Sequence, residues 1–160
     1  MSASNEPLET NETRQWNENA FSGEMPPSAG IREILGKTIN IINRKVFQVK
    51  FDPVKNTFDT PDSEGMVTKY MIITKQKISV TIKDKLQQVS NWYVSKGHYD
   101  QLNKLASDGK PDTLDRMFAE GMVTPELVPC KIKGGKFGKY YTWLTPAAYT
   151  KAVKNGDLYK

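Results

Sequence analysis

The sequence predicts a mainly β fold that is interrupted by one helical insertion and ends in a short C-terminal helix. Three observations carry this expectation. Strand-forming residues cluster at Thr38–Phe51, Met66–Thr74 and Lys77–Ile82, helical apolar spacing with clear stop signals occupies roughly residues 97–121, and Leu127–Thr145 has the pattern of a β-hairpin. A chain of 160 residues suits one domain plus tails.

Charge divides the chain before any motif does. The net charge is +5, yet residues 1–30 set Arg14 against Glu6, Glu9, Glu12, Glu18 and Glu24, a net of −4, so the remaining residues carry +9. A basic body with an acidic arm implies a polyanionic partner. The arm is polar and broken at Met25-Pro26-Pro27-Ser28, with too little apolar side chain to offset ordering entropy, so residues 1–30 are expected to be disordered. Trp16 and Phe21 are its exceptions, as anchors for a protein partner or as packing on the chain's own domain. Cys130 is the only cysteine, which excludes a disulfide framework and fits a reducing cytoplasm. MSASNEPLE does not read as a signal peptide, and no apolar run reaches membrane-spanning length.

The body is expected to begin near Gly30. Ile31–Lys37 (IREILGK) reads as a short apolar turn closed by Gly36. Thr38–Phe51 is longer than an ordinary strand and its alternation shifts near Asn43, which predicts a bulged strand bending between two sheet layers. Asp52–Gly65, punctuated by Pro53, Asn56 and Pro61, is a loop. Strand signals return at Met66–Thr74 and at Lys77–Ile82. For 84–95 both states remain open: Leu86, Val89 and Tyr93 have helical spacing, whereas Val89–Ser95 is dense in β-formers, favouring a turn at Asp84-Lys85 and a strand through Ser95. A helix follows from Lys96 with Tyr99, Leu102, Leu105 and Ala106 on one face, stopped at Asp108-Gly109. A second begins at Pro111, buries Leu114, Met117 and Phe118, and ends at Gly121. Thr145-Pro146 starts the last helix and Asn155-Gly156 ends it.

The hairpin carries the functional signal. Val128–Lys133 and Lys139–Leu144 flank a turn containing Gly134, Gly135 and Gly138, with Lys131, Lys133, Lys136 and Lys139, no acidic residue, and the aromatic series Phe137, Tyr140, Tyr141, Trp143. Alternation sets Lys131 and Lys133 opposite Val128, Cys130 and Ile132, and puts Tyr141 with Trp143. Lysines track phosphates and flat rings accept stacked bases of any sequence, so the pattern suits a single-strand binder; an amphipathic hairpin with solvated lysines and core aromatics is the competing reading. Candidate contacts are Lys131, Lys133, Lys136, Phe137, Lys139, Tyr141 and Trp143, with Arg44 and Lys69 as further cations on the first two strands. Three strands, a helical insertion and two strands is the order of the five-stranded OB barrel, which binds oligonucleotides with its second and third strands and the loops after strands one and four. Here those loops are Asp52–Gly65 and Gly134–Gly138. The expected architecture is therefore an OB-fold domain over 31–145 with its insertion between strands 3 and 4, and a helical tail over 146–160.

Catalytic and metal constellations find little support. His98 is the only histidine and lacks Cys or His companions for zinc. No G-x-S-x-G is present, and Gly134–Tyr140 lacks both the spacing and the hydroxyl residue of a phosphate loop. Asp112 and Asp115, a helical turn apart, read as N-terminal helix charge. The expectation is a non-enzyme with no cofactor or metal.

IREILGK (Ile31–Lys37) and VPCKIKGGKFGKYYTWL (Val128–Leu144) resemble segments of small bacteriophage single-stranded-DNA-binding OB-fold proteins associated with replication and recombination, in which an "ILGK" start and a "GKYYTF"-like last strand recur. The resemblance covers about 25 residues at the two ends of the expected barrel. It implies non-sequence-specific binding of single-stranded DNA in the host cytoplasm, with no membrane partner. Bacterial housekeeping proteins of this class end in an acidic tip that this chain lacks. Two other readings stand beside it: an interaction or inhibitor module using the acidic arm and helices, and RNA binding on the same surface. Self-assembly into a homo-oligomer stays open.

Overall fold

A computed structural model describes residues 27–54 and 59–159, and the β-branched content of residues 38–94 is laid out there as a meander. Strand β2 (Ile41–Lys50) runs antiparallel to β3 (Met66–Ile82), which runs antiparallel to β4 (Lys85–Val94). The short β1 (Ser28–Gly30) lies parallel on the outer edge of β4, giving the order β1-β4-β3-β2. The expected bulge is present, with the β2–β3 register shifting between Ile41 and Asn43. It turns both Ile41 and Arg44 inward, a spacing of three that unbroken alternation forbids.

The two strand signals at 66–74 and 77–82 belong to one strand. The polar break between them is a second bulge, across which the pairing with β4 jumps from Ile73 to Ile78. Thr74 repairs the interrupted ladder: its hydroxyl donates to the Gln76 carbonyl at 2.7 Å and accepts from Trp92 Nε1 at 3.0 Å. That bond satisfies the indole N–H of a fully buried tryptophan. Residues 85–94 are strand, and the turn before them is Lys83-Asp84, with φ of 50° and 66°. Two positive φ values in a two-residue loop are what a type I′ hairpin requires, and asparagine or aspartate tolerates that conformation better than most residues.

Helices α1 (Lys96–Gln101) and α2 (Pro111–Ala119), with a single 3-10 turn at Leu102–Leu105 after α1, cover the inner face of this sheet. Ser95 caps α1 by accepting from the His98 amide, and α2 turns Leu114 and Phe118 into a core shared with Ile72, Val89, Trp92 and Val94. Arg44 fastens the helices to β2. Its guanidinium donates to Asp115 Oδ1 at 2.9 Å, to the Tyr99 carbonyl at 2.9 Å and to Asn103 Oδ1 at 2.7 Å, and it lies 4.2 Å from the Tyr99 ring centre.

Strands β5 (Val128–Lys133) and β6 (Lys139–Leu144) form the predicted hairpin as a separate two-stranded sheet. Its link to the meander is at the lead-in to β2: Ile39 and Leu127 exchange two backbone bonds of 2.8 Å, and the Gly36 amide donates to the Pro129 carbonyl at 2.8 Å. After α3 (Pro146–Asn155) the chain returns to the same strand, with Lys133 N donating to Asp157 O and Tyr159 N to Lys131 O. β5 is thus bonded along both edges. Gly36 marks why the Ile31–Lys37 turn ends in glycine. Its φ is +84°, and a Cβ there would sit 2.9 Å from the Tyr149 hydroxyl of α3.

The strands do not close into a barrel. The free edge of β4 carries β1, and β6 faces helix α1 instead of joining the meander. Ser28–Gly30 are strand, so order begins ahead of the boundary expected at residue 30. Trp16, Phe21 and most of the acidic arm lie outside the described residues. Among the described residues, no helix is long and apolar enough to cross a membrane.

The Arg44 hub generates a stability prediction. Arg44→Ala removes three charge-assisted hydrogen bonds at a buried site and should lower the unfolding free energy by about 3 kcal/mol or more. Lys69→Ala breaks the partly exposed pair with Asp59 and should cost no more than about 1 kcal/mol. Urea midpoints at unchanged m-value measure both.

Candidate nucleic-acid interface

Register decides which hairpin side chains share a face. Lys131 sits opposite Tyr141, Pro129 opposite Trp143 and Lys133 opposite Lys139, so these six project together; Cys130, Ile132, Tyr140 and Thr142 take the other side. The first face is split between helix α1 and solvent. Trp143 is half-buried against the core, its Nε1 donates to the His98 carbonyl at 2.7 Å, and its ring centre lies 4.5 Å from that of His98. The Tyr141 ring centre is 5.0 Å from that of the same imidazole, with Lys131 Nζ 5.2 Å from the Tyr141 ring centre.

His98 is therefore a wedge between α1 and β6. It is fully buried, and Nε2 is 2.8 Å from the Thr142 carbonyl. A carbonyl only accepts, so Nε2 carries the proton in the neutral ring. Among the described residues Nδ1 has no hydrogen-bond partner. Burial pushes the imidazole down to about 4, against the weaker opposing pull of the Thr142 carbonyl. Gln101 adds a second tie from α1, donating through Nε2 to the Tyr141 carbonyl at 2.7 Å.

Beyond this junction the hairpin is open. Its tip is a loop in which Gly134, Gly135 and Gly138 all have positive φ, and Gly134 N donates to Gly138 O at 3.0 Å. A Cβ at Gly135 would meet the Tyr140 ring at 3.4 Å, so the glycines let that ring lie on the loop. Phe137 is 83% exposed and Tyr140 47%. Lys133, Lys136 and Lys139 are exposed and Lys131 partly so; among the described residues none of the four pairs with a carboxylate. Lys136 Nζ is 5.7 Å from the Phe137 ring centre, and Lys139 Nζ is 4.6 Å from that of Tyr159.

No family model, curated protein or solved structure matches this chain. Its function must therefore be read from the geometry of the hairpin and its surroundings.

Of the sequence-predicted site residues, the structure brings Lys131, Lys133, Lys136, Phe137 and Lys139 together on one accessible projection. Four others need correction. The Arg44 side chain is 1% exposed and fully engaged, so it is a structural cation with nothing to offer a phosphate. Lys69 is bound to Asp59 at 2.6 Å on the opposite sheet face, where Phe47 and Tyr93 also lie. Trp143 and Tyr141 share a face as expected, but both rings pack against His98 and are only partly exposed. Tyr140 and Tyr159 take their place as accessible rings. Alternation placed Tyr140 opposite Tyr141 without saying which side is open, and Tyr159 reaches the hairpin only because residues 157–159 return to β5. The single cysteine, Cys130, is buried, which pushes its thiol up to about 11 and leaves it inert as a nucleophile. Among the described residues no three His, Cys, Asp or Glu side chains gather.

The His98 wedge gives a pH prediction whose sign follows from linkage. The folded state resists protonation down to about 4, whereas the unfolded chain takes the proton near 6.5. Between those values protons favour the unfolded chain, so stability is full above about 6.5 and falls as pH drops toward 4, by about 3 kcal/mol from this one group. His98→Gln should remove that component from the pH profile of unfolding free energy. Because the sequence holds one histidine, the difference between the two profiles is assignable.

Proposed function

We propose that this chain is a non-enzymatic, non-sequence-specific binder of single-stranded DNA that uses the β5–β6 hairpin as a clamp, and that it serves phage DNA replication or recombination. The observation that carries this reading is the hairpin tip, where a largely exposed phenylalanine stands among four lysines that have no carboxylate partner among the described residues. From Leu127 to Gly156 the sequence has no acidic residue. Solvated lysines need no such segregation, and an exposed aromatic at a loop tip forgoes hydrophobic free energy unless something covers it. A single strand offers both a polyanion for the lysines and flat bases for Phe137 and Tyr140. The exposed lysines and rings of the tip are accessible to an extended strand.

The element order supports an OB-like ancestry for this arrangement: a three-stranded meander, two helices, then a hairpin stitched to the lead-in of the first meander strand. On this reading the barrel stays open because β1 occupies the free edge of β4 and β6 packs on α1, and the Gly134–Gly138 loop takes the role that the loop after the fourth strand has in OB domains. The hairpin recognises base faces and phosphates, so RNA is the natural competitor ligand in any binding assay.

Two measurements test the proposal. Phe137→Ala should weaken binding to a dT oligonucleotide by about 1–3 kcal/mol with an unchanged melting temperature, whereas Trp143→Ala should chiefly lower the melting temperature. Alanine at Lys131, Lys133, Lys136 or Lys139 should flatten the slope of log K against log salt by about 0.7 for each phosphate left without its lysine. Equal slopes in all four variants and the wild type would place the strand elsewhere.

A further inference from the structure

Beside the hairpin, the returning chain and α3 enclose an open groove of about 550 Å³ lined by Lys133, Val153, Gly156, Leu158 and Tyr159. Its volume falls within the roughly 300–1,000 Å³ of small-ligand clefts. The lining is largely apolar and open to solvent, with Val153 51% exposed and Tyr159 40%. We propose that this groove is a base-binding subsite in which one unstacked base of the single strand lies on the Tyr159 ring, while its flanking phosphates meet Lys133 and Lys139. This rests on the proposed function and extends it to residues outside the hairpin.

The occupant follows from charge and shape together. Between Val128 and Tyr159 the chain carries Lys131, Lys133, Lys136, Lys139, Lys151 and Lys154 against the single carboxylate of Asp157, so an anionic ligand is favoured. The groove itself contributes an aromatic ring, an isopropyl group and a leucine, which suit a flat heterocycle and not a phosphate. A nucleic-acid strand brings both the charge and the heterocycles. Lys139 Nζ lies over one face of the Tyr159 ring, 4.6 Å from its centre, so the base takes the other face and the ammonium stays close enough to meet an adjoining phosphate. The ring is also positioned independently of any ligand, because Tyr159 N donates to Lys131 O and Leu158 bridges Ile132 on the edge of β5. Lys133 bonds to the same returning segment through its amide, with the Asp157 carbonyl as acceptor at 2.8 Å, so the backbones that carry this lysine and the Tyr159 ring are tied to each other. A strand gripped at Phe137 would thus continue along β5 into the groove.

The test uses the full chain with three probes: a dT oligonucleotide, the matching rU oligonucleotide, and an abasic strand of equal phosphate number. Tyr159→Ala should weaken dT and rU binding roughly 5- to 150-fold, the range for removal of one stacking ring, and leave abasic-strand affinity and the salt slope unchanged. Tyr159→Phe keeps the ring and should bind as the wild type does. The alanine variant retains the backbone bond to Lys131, and an unchanged melting temperature verifies that the groove's frame survives. Wild-type affinity for dT in Tyr159→Ala, with Phe137→Ala still impaired, would overturn the subsite and leave the hairpin reading standing. Equal losses on the dT and abasic strands would also overturn it, since the contact would then be to phosphate. Failure of the wild type to bind any of the three strands would overturn both.

Discussion

The constraint on which the proposed binding surface depends is the buried imidazole of His98. It is held neutral by burial, bonded through one nitrogen to the Thr142 carbonyl and flanked by the rings of Tyr141 and Trp143. A lone hairpin of two six-residue strands is marginal in water, and this one has its orientation set by that contact and by Gln101. The same contact decides what the hairpin can offer. Two of its aromatic rings are turned to the helix, and the tip beyond Lys133 is left projecting with Phe137 and Tyr140. Among the described residues Nδ1 has no hydrogen-bond partner.

Arg44 does the corresponding task on the other side of the helical insertion. Its guanidinium holds the 3-10 turn and α2 to β2, and Tyr99 stacks on it from α1. Between them, Arg44 and His98 pin α1, one to the meander and the other to the hairpin. β6 therefore packs on α1, while the edge of β4 that a closed barrel would pair with β6 is taken by β1. The hairpin consequently keeps one edge along β5 for Ile39 and the returning residues 157–159, and this return is what sets Tyr159 beside the lysines. Both the open tip and the adjoining groove are consequences of where the helix sits.

Local chemistry made much of this visible in the sequence. Proline and glycine punctuation located α2, α3 and both strands of the hairpin, and the shift of alternation located the Asn43 bulge. The mainly β content and the lysine cluster were legible for the same reason, since composition and period act over a few residues, whereas the expected closed five-stranded barrel is not what the strands form. What alternation cannot give is direction: it paired Tyr141 with Trp143 correctly but could not say that α1 lies over them. Arg44 read as a surface cation because its partner Asp115 is 71 positions away in the chain. The union of 66–74 with 77–82 was hidden by Lys75-Gln76-Lys77, which looks like a loop unless Thr74 and Trp92 are known to bridge the bulge. β1 was masked by the polar composition around it, and its pairing depends on an edge of β4 that no local signal marks.

The central claim is that the exposed hairpin tip, and not the helix-facing rings, touches the nucleic acid. Photocrosslinking of the wild-type protein to a single strand containing 5-iododeoxyuridine, with adducts mapped by mass spectrometry, tests it most directly, because it reports contact without altering a side chain. The account predicts adducts concentrated at Phe137, Tyr140 and Tyr159. Adducts at Phe47 and Tyr93 on the opposite sheet face, with the hairpin unmodified, would contradict it.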